Sequence, residues 1–298
     1  MQIGVFGFDP TVEGFENSLR EAAEQGFPSY WIPQIFGMDA LTAIAVAASK
    51  VPEIRVGTAV IPTYPRHPMM LAQQALTTQS VIDGRLELGI GLSHKPVVEG
   101  MWGIDFDKPV GHLRDYLSVL MPLLHDRRVS FGGDQVTGRG EITPPPADAP
   151  PVLVAALGPQ MLRLTGRMAD GTITWMTGPG TLAELTVPTI NEAAEAAGRP
   201  APQIVAGFPV CVTDDVDAAR ERAAKEYAIY GQLPSYRAML DNEGLGGPED
   251  LAIIGSADEV ADRIRALAST GITTMTGSAF GSPDEMAATR ATLVGLLG

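Results

Sequence analysis

The sequence predicts an α/β chain closed into a (β/α)8 TIM barrel, and three observations carry that expectation. Short β-rich runs alternate with longer helical patterns from one end to the other, the signature of repeated βα units around a parallel sheet. The units count to eight. The glycine fingerprint of a doubly wound open sheet is missing after the first strand, where GVFGFDP lacks the spacing; GIGLSH after the fourth strand ends in His94 where the third glycine belongs. At 298 residues the chain is longer than a usual domain. Barrels of this kind fill that length as one unit, so residues 1–298 are expected to form a single domain.

In chain order, IGVFGF (3–8) is the first strand, and VEGFENSLREAAEQ the first helix, closed by Gly26 at a C-cap that favours positive φ. SYWIP (29–33) is aromatic and β-branched and stops at Pro33; LTAIAVAA then forms an apolar helix. IRVGTAVI (54–61) is the third strand, and Pro68 starts the helix HPMMLAQQALTTQSVI, which ends at the Asp83-Gly84 turn. LELGIGL (86–92) is the fourth. His112 and His125 bracket the next helix, LRDYLSVLMPLL, as packing or surface residues. From about residue 127 to 151 the rhythm breaks: FGGDQVTGRG suggests a hairpin and TPPPADAPP a rigid connector, an insertion expected beside the active-site face. PVLVAAL (151–157), the helix PQMLRLTGRMA, GTITWMT (171–177) after the Asp170-Gly171 turn, and IVAGFPVCVT (204–213) resume the alternation. SADEVADRIRALAST closes at Gly271, TTMTGSAF (273–280) is the eighth strand, and SPDEMAATRATLVGLL is the last helix.

Composition narrows the function classes. The formal net charge is −14 and no run of Lys or Arg could track a phosphate backbone, which argues against nucleic acid and anionic membrane surfaces as partners. Any anionic ligand must then be held by local donors. Cys211 is the single cysteine and reads as a buried strand residue, and four scattered histidines show no ligand spacing, so no metal is expected. The N-terminus runs directly into a strand without signal-peptide features, and LTAIAVAA is far too short to span a membrane, so a cytoplasmic location is expected.

In a barrel, chemistry belongs at the C-terminal ends of the strands. The leading ligand site there is Ala156, Leu157, Gly158 and Pro159: a strand ends, proline takes the first helical position, and glycine lets a ligand approach backbone amides that favour an anion. One strand later, TGPGT repeats the pattern at Thr177 and Gly178. Either segment also reads as an ordinary tight βα turn; their adjacency on neighbouring strands favours a phosphate. His94, past the fourth strand, is the leading acid–base candidate because its ordinary pKa lies near neutrality. Phe8, Trp31 and Trp175 would line an apolar substrate pocket, though core packing explains a tryptophan about as well.

The order of YWIPQ, GTAVIPTYPRHP, GRLELGIG and LGPQMLRLTGRMADGTITW resembles the luciferase-like flavin and deazaflavin oxidoreductase superfamily over nearly the whole chain, above all its coenzyme F420-dependent members, including actinobacterial oxidoreductases. The resemblance implies hydride transfer between the deazaflavin and a small organic substrate, with FMN as the alternative cofactor, and a homodimer. It implies a bulge at Thr58, Ala59 and Val60, often with a non-prolyl cis peptide, backing the cofactor ring. Many relatives place an Asp-His pair after the second strand; Pro33 and Gln34 stand here, and Gln34 can hydrogen-bond to the ring but cannot titrate. Glu99 is a second proton-donor candidate because some deazaflavin relatives use a carboxylate in this loop. The alternatives are an FMN-dependent luciferase-like monooxygenase and a flavin- or deazaflavin-binding protein without turnover, the latter suggested by Gln34.

Overall fold

Side-chain alternation divides each strand between two apolar layers. In the computed structural model, which describes residues 1–297, Ile3 and Val5 of the first strand join the cluster shared with the surrounding helices, while Phe6 packs on the cluster inside. Twelve strands are formed among the described residues: β1 (Gln2–Phe6), β2 (Ser29–Ile32), β3 (Arg55–Thr58), β4 (Ile61–Pro62), β5 (Leu86–Gly91), β6 (Arg128–Gly132), β7 (Thr137–Glu141), β8 (Val152–Val154), β9 (Gly171–Trp175), β10 (Gln203–Val212), β11 (Ile253–Gly255) and β12 (Thr274–Ala279). Eight of them, in the order β1-β2-β3-β5-β8-β9-β10-β12, pair in parallel, and β12 pairs back to β1 to close the barrel. These are the eight expected from the sequence. The expected helix ends hold as well, with Gly26 at φ 86° and Gly271 at φ 89°.

Two strands lie outside that count. β4 is a two-residue piece on β5 that resumes after a break in β3, and β11 adds to the C-terminal end of β10. Between β10 and β11 the chain makes an excursion through the helices Val216–Glu226 and Pro234–Glu243. The second of these covers the barrel mouth.

The barrel interior is filled rather than hollow. Trp31 is 0% exposed and packs with Leu153, Ile173 and Val205; a Cβ on Gly57 would lie 2.1 Å from its ring, so glycine in β3 is what makes room for the indole. Its Nε1 donates to Ser29 Oγ at 3.1 Å, which satisfies the buried N–H. Below it, Arg55 is paired with Glu87 at 2.6 Å and donates to Gln2 Oε1 at 2.7 Å, closing the N-terminal end with charge.

The interruption at 127–151 contains the expected hairpin, β6 against β7. It lies along the helix Pro109–Asp126, with Gly138 against Val119 and Gln135 N donating to Asp115 at 2.9 Å, so it widens the outer wall of the barrel. Among the described residues no helix is long and apolar enough to cross a membrane.

Candidate active site

β3 breaks after Thr58, the Ala59–Val60 peptide is cis, and the chain resumes as β4. The break is held on both sides: Thr58 Oγ1 donates to Gly89 O at 2.8 Å, and Ala59 N donates to Ile32 O at 2.8 Å. Glycines in β5 admit it, because a Cβ on Gly89 would fall 1.8 Å from Thr58 O and one on Gly91 would fall 2.6 Å from Val60. Ala59 and Val60 rest on the Trp31 cluster and stay partly exposed. The result is a flat backbone platform facing the mouth. Ala155, which the sequence reading passed over, stands beside it across Gly91, whereas Ala156 is buried toward the helices and offers a ligand only its backbone.

The two glycine turns, equivalent in the sequence, are unequal in the structure. Gly158 and Pro159 start the helix Pro159–Met168 with no side-chain cap, both are exposed, and a Cβ on Gly158 would meet nothing within 4 Å. Its first-turn amides are thus open to an anion. The Gly178 turn is already filled. Residues 179–196 form one continuous helix with a π-wound turn at Leu182–Thr186, and Glu243 from the excursion accepts from Gly180 N at 3.3 Å and from Thr181 N. Gly178 N donates to Met239 Sδ at 3.4 Å. In the structure this turn, where the sequence predicts a phosphate contact, is partnered within the chain: Met239 at Gly178, and the Glu243 carboxylate at Gly180 and Thr181. Leu157 and Thr177 border the same place, Leu157 packed on the cluster that includes Met239 and Thr177 with its hydroxyl buried and unpartnered.

Aromatic side chains span the mouth from β1 to the loop after β5. Phe6 stacks on Trp175 at 4.8 Å, Trp175 faces Tyr230 at 6.5 Å, Tyr230 meets Tyr236 at 4.9 Å, and Tyr236 lies 6.1 Å from the His94 ring. Trp175 is half-buried with its Nε1 unpartnered. Trp31, expected beside it from the sequence, is instead fully buried among Leu153, Ile173 and Val205 inside the barrel. Phe8 is 68% exposed at the rim. Phe6, Tyr230 and Tyr236 were missed because nothing local in the sequence marks them as facing the mouth.

His94 follows Ser93, which has φ 63°, and Met176 after β9 has φ 49°. Non-glycine residues in that region are strained and concentrate at functional sites, and both lie at strand ends facing the mouth. His94 is half-buried, its ring makes no hydrogen bond among the described residues, and burial holds its pKa below the ordinary value. Glu99 is exposed instead. It pairs with Lys95 at 3.4 Å and accepts from Phe106 N at 3.4 Å, both contacts within its own loop. Gln34 is half-buried, and its Oε1 accepts from Ala40 N at 3.1 Å, leaving the side-chain NH2 for a ligand. Among the described residues no cluster of three metal-ligating side chains occurs.

A closed parallel barrel with a broken third strand, an open glycine turn and an aromatic mouth defines a cofactor-binding (β/α)8 enzyme scaffold. The chain belongs to the luciferase-like monooxygenase family, whose sequence pattern it matches over residues 9–274. It is 29% identical over 274 residues to an F420-dependent glucose-6-phosphate dehydrogenase of Nakamurella multipartita, covering 86% of this chain and 79% of that protein. Among solved structures it resembles the coenzyme F420-dependent tetrahydromethanopterin reductase from Methanopyrus kandleri with a TM-score of 0.82 at 22% identity, over 99% of this chain and 97% of that one. It also resembles the oxygenating constituent of 3,6-diketocamphane monooxygenase from Pseudomonas putida in complex with FMN, with a TM-score of 0.78 at 18% identity, over 100% and 96% of the two chains.

Proposed function

We propose that this chain is a coenzyme F420-dependent oxidoreductase that moves a hydride between the deazaflavin and a small organic substrate. The observation that carries the reading is the partly exposed Ala59–Val60 platform, set in the same mouth as the uncapped amides of the Gly158 turn. The platform suits the face of a flat ring and the turn suits a phosphate, so both parts of the cofactor find complementary backbone. Gln34 would contact the ring edge through its free amide. The bound cofactor supplies two-electron hydride chemistry; the chain supplies orientation, exclusion of water and a proton route.

The proton route starts at His94. Because burial favours its neutral form, the ring is present near neutral pH as a base rather than as an acid. A neutral imidazole suits the substrate-oxidising direction, in which a hydroxyl loses a proton to Nε2 or Nδ1 as its carbon gives up hydride. The half-buried Trp175 and Tyr230 wall keeps the reacting volume apolar and dry.

Anaerobic fluorescence or calorimetric titration tests the reading directly. Coenzyme F420 is expected to bind at least about tenfold more tightly than FMN, a difference of about 1.4 kcal/mol. Equal affinities or a preference for FMN would favour the monooxygenase reading, and tight binding without turnover of any alcohol offered would favour a carrier.

A further inference from the structure

We infer that Glu243 is a built-in competitor for the cofactor's phosphate at the Gly178–Thr181 turn, and through that competition sets how tightly phosphate-bearing ligands bind. The inference rests on the reading above for the identity of the ligand, but not for the geometry of the turn. Each amide of this helix start that lacks an intrahelical partner is engaged by one partner helix: Met239 takes Gly178 N, and Glu243, four residues on and hence on the same helix face, takes Gly180 N and Thr181 N. A thioether is a weak acceptor, and a carboxylate is the closest thing to a phosphate that a protein carries.

Glu243 has no cationic partner among the described residues. It also ends the helix Pro234–Glu243, where a negative charge opposes the helix dipole, so what stabilises it there is the amide cradle at the start of the other helix. A second observation points to a larger anion in the same cradle. The hydroxyls of Thr177 and Thr181, at the two ends of the turn and only 1% and 6% exposed, have no hydrogen-bond partner. A carboxylate with two oxygens leaves them unsatisfied, whereas a tetrahedral phosphate has acceptor oxygens to spare for both. Gly178 and Gly180 leave the space that such a group needs: a Cβ at either would stand 2.2 Å and 3.1 Å from the Glu243 carboxylate. Gly244 follows Glu243 with φ 69°, the left-handed cap that ends the helix at this carboxylate.

Two paired measurements test this. Glu243→Ala is expected to raise affinity for FMN or coenzyme F420 by about tenfold or more over wild type, and to leave riboflavin or the phosphate-free deazaflavin within about twofold; Glu243→Gln, neutral but still an acceptor, should fall between. An equal change for phosphate-bearing and phosphate-free partners, or a weaker phosphate-bearing ligand, overturns the inference. The second measurement uses inorganic phosphate alone, read as a phosphate-dependent rise in melting temperature. Glu243→Ala should show the rise and wild type should not at the same concentration; equal rises sink the proposal whichever cofactor is right. If phosphate behaves as expected while no flavin or deazaflavin binds any variant, the cofactor reading falls and the competitor stands.

Discussion

At the scale of single residues, His94 and Glu99 make opposite commitments. His94→Ala is expected to lower turnover by about 10² to 10⁴, the usual cost of losing a positioned acid or base, with cofactor affinity little changed. Glu99→Gln should react at close to the wild-type rate, because its carboxylate is spent on Lys95 and the Phe106 amide. The pH profile separates the roles further: with His94 held neutral by burial, its limb in kcat/KM should lie below the ordinary imidazole value of about 6.5, activity rising as pH increases through it, and vanish in His94→Ala. His112 gives a stability counterpart. It is buried, stacked on Tyr64 at 3.8 Å and bonded to Thr63 Oγ1 at 3.1 Å, and burial lowers its pKa to about 4. Between about 6.5 and 4 the unfolded chain binds a proton that the folded chain refuses, so stability falls as pH falls across that window. Urea midpoints for wild type and His112→Phe should diverge most above pH 6.5 in slope against pH only if another group is responsible; a flatter acid limb in the variant assigns the loss to His112. The position of His94 was legible because a strand end in a barrel fixes it. The local contacts of Glu99 with Lys95 and Phe106 were not, since the direction of a side chain on a short helix depends on what the following loop offers it.

At the scale of elements, the two glycine turns show which part of a site is local. Proline at the first helical position, glycine before it and a strand ahead specify a helix start from a handful of neighbouring residues, and both turns form where the sequence places them. Their occupancy is not local. Glu243 lies 62 residues from Thr181 along the chain, and no periodicity near either reveals that the helix Pro234–Glu243 folds over the turn. Gly158→Val should therefore behave unlike a general loop mutation: its backbone, at φ −91° and ψ 156°, suits a branched residue, and the added Cβ meets nothing within 4 Å. The melting temperature is expected to hold while affinity for the phosphate-bearing cofactor drops by tenfold or more. A fallen melting temperature with unchanged affinity in the folded fraction would make the turn structural. Trp31 shows the converse error. Its placement on β2 was read correctly, but whether an inward-facing tryptophan lines a pocket or plugs the barrel depends on Gly57 in the neighbouring strand, a pairing visible only once the register of β2 and β3 is known.

At the scale of the whole molecule, closure of the barrel was the most legible feature, because eight βα units in succession leave few ways to bury both faces of a parallel sheet. The excursion between β10 and β11 was the least legible, since it interrupts no repeat and carries its own helices. Net charge is legible at once, and it makes a kinetic statement. A molecule of charge −14 repels an anionic cofactor at long range, and the proposed phosphate contacts at Gly158 are backbone amides that act only on arrival. Added salt screens the repulsion over a Debye length of about 10 Å at 0.1 M while leaving a short-range amide cradle largely intact. The association rate for coenzyme F420 should accordingly rise with ionic strength, as that for FMN should, because both carry phosphate; dissociation should change little. Stopped-flow binding between about 0.02 and 0.3 M sodium chloride reads both rates. A fall in the association rate over that range would mean that arginines near the mouth steer the cofactor in, overruling the field of the whole chain, and the phosphate would then be held by side-chain charge instead of by the helix start.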